Sequence, residues 1–226
     1  MSPINLSTSS HPTPLPMCPL CAAGKTTFYD NMASVCGGDL SVAEEAIISI
    51  KAASFEGSTS ASVGGSLCAS GNGTLSIAQC AVSGARTTEG NGGGIYALGD
   101  SHITIEDTSL SGCISPTSGG GMSMFERAQV ELIRSSIFNN TAGNVDYADN
   151  SDGGGIALND QSRAVITSSQ LHGNKAFRVG GAVYAHDQAE VHIMAGKLGT
   201  GTVLPAWLLT HLHTQISPRY ARRGML

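Results

Sequence analysis

Six glycine pairs recur along the chain at a nearly fixed interval, and that interval restricts the fold more than any other feature. The pairs begin at Gly37, Gly64, Gly92, Gly119, Gly153 and Gly180, so successive spacings are 27, 28, 27, 34 and 27 residues. Self-similarity at a period of roughly 20–50 residues is the mark of a solenoid, a propeller or an array. Aligning the chain on the first Gly of each pair shows which. Three positions on stand Leu40, Leu67, Ile95, Met122, Ile156 and Val183, and two further on Val42, Ala69, Ala97, Met124, Leu158 and Ala185. A second pair of apolar columns follows: Ile48, Leu75, Ile103, Val130, Ala164, Val191, then Ile50, Ile77, Ile105, Leu132, Ile166, Ile193. A fifth column reads Phe55, Val82, Leu110, Ile137, Leu171, Leu198. Apolar positions that pair at a spacing of two do not fit a helix; they fit short strands with alternate side chains turned inward.

The spacing predicts three short strands per repeat, separated by glycine-rich and polar turns. One such unit has no way to bury its inner face alone, whereas units stacked at about 4.8 Å pair each strand in parallel with its counterpart. Crossovers between parallel strands are right-handed in nearly all proteins. The expected fold is therefore all-β: a right-handed parallel β-helix of about six coils. Each coil buries about five aliphatic side chains at roughly 1.5–3 kcal/mol apiece, which offsets ordering entropy only when both neighbours are present. The glycine pair lets the chain turn sharply into the first strand with φ > 0. A uniformly small column (Ala53, Cys80, Thr108, Ser135, Ser169, Gly196) marks a tight inner corner.

Composition agrees. Glycine supplies 29 of 226 residues and charged residues only 13%, against averages of about 7% and 25%; with 5% aromatics, the core must be aliphatic. The net charge of −5 and a single basic run, Arg219 to Arg223, at one end argue against nucleic acid as a partner. No run of about 18 apolar residues occurs, so no transmembrane helix is expected.

Phe28-x-x-Asn31-x-Ala33 before Gly37-Gly38, Ile137-x-x-Asn140-x-Ala142 before Gly153-Gly154-Gly155-Ile156, and Leu171-x-x-Asn174-x-Ala176 before Gly180-Gly181-Ala182-Val183 resemble the FxxN and GGAI repeats of the chlamydial polymorphic membrane proteins. That resemblance spans residues 28 to 200 and implies a β-helical surface adhesin. The chain departs from the family where Ser58, Ala85 and Cys113 replace the repeat asparagine. No membrane barrel is expected after the repeats. The N-terminal stretch MSPINLSTSSHPTPLPMCPL lacks the apolar core of a secretory signal, so either the protein is not exported by that route, or the chain is a fragment or an imperfectly bounded gene product. An autotransporter role is not expected.

Parallel β-helices often carry polysaccharide lyases and hydrolases, which need carboxylates from neighbouring coils flanking one bond at about 5–9.5 Å. No Asp-Asp pair, Asn-Thr-Asp element or nucleophile elbow is present. One column has chemical content: seven positions after the first Gly stand Glu126, Asp160 and Asp187 on consecutive repeats, with Glu44 earlier. Stacked carboxylates either splay into water, softened by Arg127 and His186, or share a cation. Ca²⁺, with its six to eight oxygen ligands, is the ion and only cofactor such a ladder suggests. The fourth repeat carries seven extra residues within NVDYADNSD, where Asp146, Tyr147, Asp149 and Asp152 are candidates for meeting a cation or a sugar.

The six cysteines (Cys18, Cys21, Cys36, Cys68, Cys80, Cys113) permit disulfides but specify no pairing. Cys18, Cys21 and Cys36 with His11 form the alternative zinc set. His102, His172, His186 and His192 fall in different columns and form no cluster. Asn5, Asn72 and Asn139 satisfy N-x-[ST]. Residues 1–27 are read as an N-terminal tail or cap with Cys-x-x-Cys, 28–202 as the β-helix, and 203–226 as a C-terminal cap or frayed tail. In that last segment Ala206 to Ile216 suits a short helix laying Trp207, Leu208 and Leu212 over the last coil. The functional expectation is a non-catalytic extracellular or cell-surface segment for adhesion or for binding a glycan or a surface protein. A carbohydrate-active enzyme or remnant and a structural spacer are the alternatives.

Overall fold

A computed structural model describes residues 26–143 and 151–194, and the backbone of 197–198. The chain winds as stacked coils, numbered here 1 to 6 from the glycines at 37, 64, 92, 119, 153 and 180, with residues 26–36 contributing strands ahead of coil 1. Strands at equivalent positions stack into four parallel sheets, one of seven strands and three of six. Each coil opens with a three-residue strand such as Ile95–Ala97 and continues with a five-residue strand such as His102–Glu106. A third strand such as Ser109–Ser111 follows, and coils 1 to 5 close on a two-residue strand such as Ile114–Ser115.

The register is the one the columns predict. Ile50, Ile77, Ile105, Leu132, Ile166 and Ile193 pair successively across one sheet. Phe55, Val82, Leu110, Ile137 and Leu171 do so in another, where Phe28 extends the row by stacking on Phe55 with ring centroids 4.8 Å apart. Leu75, Ile77, Ile103, Leu132 and Ile166 are fully buried. The expectation of three strands per repeat is corrected to four. The two-residue strands carry only one inward side chain each, among them Ser60, Thr87, Ser115 and Ala142. So short a segment has no alternation to read, and its inward column is small, half hydroxylic and half alanine.

Four turns close each of coils 1 to 5, and every turn among the described residues holds a residue in the left-handed region. The first turn is always the first Gly of the pair, with φ between 59° and 69°. The second is Glu44, Gly71, Gly99, Glu126, Asp160 and Asp187; the third Ala52, Gln79, Asp107, Arg134 and Ser168. The fourth is Asp30, Gly57, Gly84, Gly112, Asn139 and Gly173. Only the first turn excludes every side chain. A Cβ on Gly64 or Gly180 would lie 2.5 Å from the carbonyl oxygen three residues on. Its partner glycine sits under the next coil, as Gly93 shows, where a Cβ would meet the Ile114 carbonyl oxygen at 2.5 Å. There the coils pack backbone on backbone, with Gly38 N donating to Gly65 O at 3.1 Å and Gly65 N to Gly92 O at 3.1 Å.

Polar ladders finish the interior. Ser135 and Ser169 fill the small column; Ser135 Oγ accepts from Thr108 N at 3.1 Å and Ser169 Oγ from Ser135 N at 3.0 Å. In the repeat-asparagine column, Asn140 Oδ1 accepts from Cys113 N at 2.9 Å and Asn174 Oδ1 from Asn140 N at 3.1 Å. Where Ser58 replaces asparagine, Asp39 supplies the missing acceptors and takes bonds from Asn31 Nδ2, Ser58 Oγ and Ser66 Oγ, each at 2.7 Å. Cys36 and Cys68 form a disulfide, with Cα atoms 5.7 Å apart. No helix among the described residues is long and apolar enough to cross a membrane. The suggested helix at 206–216 lies outside them, as does most of both end segments.

Candidate functional site

The second left-handed turn joins the three-residue strand to the five-residue strand. An L-residue in this conformation turns its side chain out of the coil, so the column seven positions after the glycine meets solvent whatever occupies it. On coils 4 to 6 the occupants are Glu126, Asp160 and Asp187, with φ of 59°, 58° and 58°, and all three are exposed. The next position carries Arg127, Gln161 and Gln188. These six side chains line one open groove of about 760 Å³ running across the three coils. A second hollow of about 420 Å³ continues over the same ridge, lined by Arg127, Gln129, Gln161, Arg163, Gln188 and Glu190.

Several of these groups are already engaged. Asp160 Oδ2 accepts from the Glu126 backbone N at 2.9 Å, which ties one carboxylate oxygen to the turn of the coil before. Arg127 borders the acidic ladder and feels the charge of Glu126, but its hydrogen bonds go elsewhere. It forks onto Asp100 on coil 3, at 2.6 and 2.7 Å, and its guanidinium holds the Asp100 carboxyl below the usual carboxylate range. Gln161 Nε2 donates to Gln188 Oε1 at 3.2 Å, Arg163 lies 3.7 Å from Glu190, and His186 Nδ1 lies 3.0 Å from Asp187 Oδ2. Beside the groove, burial raises the Tyr96 hydroxyl above its ordinary range, with Glu126 and then Asp160 adding to the effect. Tyr96 therefore stays a hydrogen-bond donor at neutral pH, its ring 5.7 Å from that of Phe125.

The carboxylate column expected for Ca²⁺ does fall on one groove. Among the described residues, however, no three His, Cys, Asp or Glu side chains gather to hold a metal. The turns present the three carboxylates one per coil, about 4.8 Å apart along the stack, and each is solvated. Asp152, expected among the ligands of the extended repeat, is turned inward instead: its side chain is 4% exposed and its carboxylate is taken by Arg178. Its companions Asp146, Tyr147 and Asp149 lie outside the described residues. The zinc reading loses a ligand, because Cys36 is bound to Cys68; Cys18, Cys21 and His11 also lie outside the described residues. His172 stacks on Phe138 and His186 on Tyr184, at 5.1 and 6.0 Å between centroids.

The row Arg127, Gln161, Gln188 is what sequence reading missed. Its signal was present, since position eight of every repeat is polar (Glu45, Asn72, Asp100, Arg127, Gln161, Gln188). A polar turn residue carries no weight until the stack sets three of them side by side.

A family model described as a right-handed β-helix region matches residues 26–195. No curated protein and no solved structure matches the chain.

Proposed function

Because the chain belongs to the right-handed β-helix family, and fold alone does not select a function, we propose from the groove that it is a non-catalytic glycan-binding module. The observation that carries this reading is the repetition of one polar set on three successive coils. Carboxylates at Glu126, Asp160 and Asp187 flank the Arg127, Gln161 and Gln188 row along one open groove. Planar carboxylate and amide groups are the side chains that meet sugar hydroxyls in pairs. A repeat of about 4.8 Å is close to the length of one sugar in an extended chain, so successive coils offer successive sugars like contacts. The engagement of Asp160 with the Glu126 backbone and of Arg127 with Asp100 favours a preorganised binding surface over mobile acid–base groups.

The module is proposed to work outside the cell or on its surface, in adhesion. The Cys36–Cys68 disulfide suits an oxidising compartment, and the likeness of the FxxN and GGAI repeats to the polymorphic membrane proteins supports a surface role. One observation favours the carbohydrate-active alternative: three carboxylates on neighbouring coils share a groove, and the coil step of about 4.8 Å is close to the shorter carboxylate separation that glycosidic hydrolysis uses.

Glycan-array binding of the purified chain, with product analysis on every hit, separates these readings. Binding without turnover is expected, weakened about 3–10-fold by Gln161→Ala and again by Gln188→Ala, the loss of one hydrogen bond each. Turnover abolished by Asp160→Asn would establish the enzyme. Silence on the array and in pull-downs would leave the spacer.

A further inference from the structure

We propose that Asn72 is an N-glycan acceptor and that Asn139, a second sequon in the described residues, is not. The inference rests on the reading that the chain passes through an oxidising secretory compartment. Asn72-Gly73-Thr74 lies on coil 2 in the turn that on coils 4 to 6 forms the groove. Asn72 is exposed, and no side chain or backbone group among the described residues engages its amide. Gly73 N closes the tight turn on Ser70 O at 3.0 Å, and Thr74 enters the five-residue strand with its backbone N on Ala46 O at 2.9 Å. The triad is thus held by its backbone, while its acceptor amide and its half-buried threonine stand on the outer surface.

Asn139-Asn140-Thr141 has the same exposure, with its first residue exposed and its threonine half-buried, and differs in where the asparagine side chain lies. Asn139 has φ 55°, and its amide oxygen lies over Gly173 of the next coil, in the space a Cβ there would need. Beside it Phe138 stacks on His172. The middle residue, Asn140, is fully buried in the asparagine ladder. A sugar on Asn139 would lift its amide off the next coil at the point where the stack is continuous.

Cys68 links the disulfide to the Asn72 turn. It is bonded to Cys36 and sits in the strand Leu67–Ala69 that leads into the Asn72 turn, so this coil is oxidised where oligosaccharide transfer also takes place. In the transfer, Asn72 Nδ2 forms a bond to C1 of the first sugar of a lipid-diphosphate-linked oligosaccharide. The C1–O bond breaks, the lipid diphosphate leaves with the electron pair, and one amide proton passes to the transferase. The first sugar would stand on the ridge two coils before Arg127, roughly 10 Å at about 4.8 Å per coil.

The test is to secrete the full chain behind a leader from eukaryotic cells and measure intact mass before and after an amidase that converts a glycosylated Asn to Asp. Non-reduced peptide mapping on the same sample reads the disulfide. With Asn5 changed to Gln in every sample, so that only the two described sequons are read, one glycan is expected, at residue 72, lost in Asn72→Gln and equally in Thr74→Val, and retained in Asn139→Gln. A full shift surviving Asn72→Gln, or sugar at residue 139 of the folded protein, overturns the proposal. Secreted chain with Cys36–Cys68 intact and residue 72 bare overturns it while leaving the export reading standing; absence of both sugar and disulfide overturns the two together.

Discussion

Arg178 closes on Asp152: its Nε lies 2.8 Å from Oδ1 and its Nη2 engages Oδ2, although only 4% of the Asp152 side chain is exposed. Asp152 stands where the extended coil 4 returns to the stack, bridged to Val179, so this pair holds the longest coil against its neighbour. Removing one partner of a buried pair strands the other and costs about 3–5 kcal/mol. The Arg178 side chain is 45% exposed, which lowers the figure. Arg178→Ala is expected to lose about 2–3 kcal/mol in chemical denaturation, and the double change Asp152→Asn/Arg178→Gln to recover more than half. Equal losses in both variants would show that the charge is not what matters.

Glycine is required at one turn of the coil and tolerated at another. Gly64→Ala forces a Cβ to 2.5 Å from the Leu67 carbonyl oxygen at φ 59°. The left-handed conformation alone costs roughly 1–2 kcal/mol, so the loss should exceed about 2 kcal/mol. Gly84 has φ 63° but open space, the nearest atom being 3.8 Å away, and Asn139 already fills the equivalent turn. Gly84→Asn should stay within about 1 kcal/mol of the parent. Thermal melts of the two variants side by side decide it.

The asparagine ladder is expected to be stiff and specific. Asn140→Ala leaves Cys113 N and Leu110 O without their partners at 2.9 and 3.0 Å, and stranding buried groups costs about 1–3 kcal/mol each. A loss of about 2–4 kcal/mol is expected. Asn140→Ser should recover part of it, because Ser58 in the same column accepts from Asn31 N at 3.1 Å. A serine variant no more stable than the alanine variant would refute the shared role.

Burial pushes the Cys113 thiol up to about 12. Native protein should therefore resist thiol alkylation at this residue through neutral and mildly alkaline pH, and label there only on unfolding. The sign for stability follows: in the unfolded chain the thiol ionises near 8.5, so between about pH 9 and 12 the unfolded state holds fewer protons and stability falls as pH rises. Peptide mapping after alkylation at pH 8, with and without denaturant, checks the first point. A pH series on Cys113→Ala, expected to flatten that fall, checks the second.

The stack was legible because it is written in columns. Ile50, Ile77 and Ile105 stand at matching places after their glycines, and period-two pairing of such columns admits only strands. The two-residue strand was not legible, since one inward Ser60 or Ala142 makes no alternation. Nor was the pairing of Cys36 with Cys68, for which spacing offered no preference among six cysteines.

At the site the division is sharper. Sequence alone determined that Glu126, Asp160 and Asp187 share a column and that the column lies at a turn. Only the tertiary structure decided that Arg127 turns back to Asp100, that Asp160 caps the Glu126 backbone, and that Asp152 points inward to Arg178. The physical reason is range. Column membership follows from the backbone repeat, which the chain states locally and six times over. The partner of a charged side chain is chosen across coils 26 to 34 residues apart, among groups that become neighbours only once the solenoid has closed.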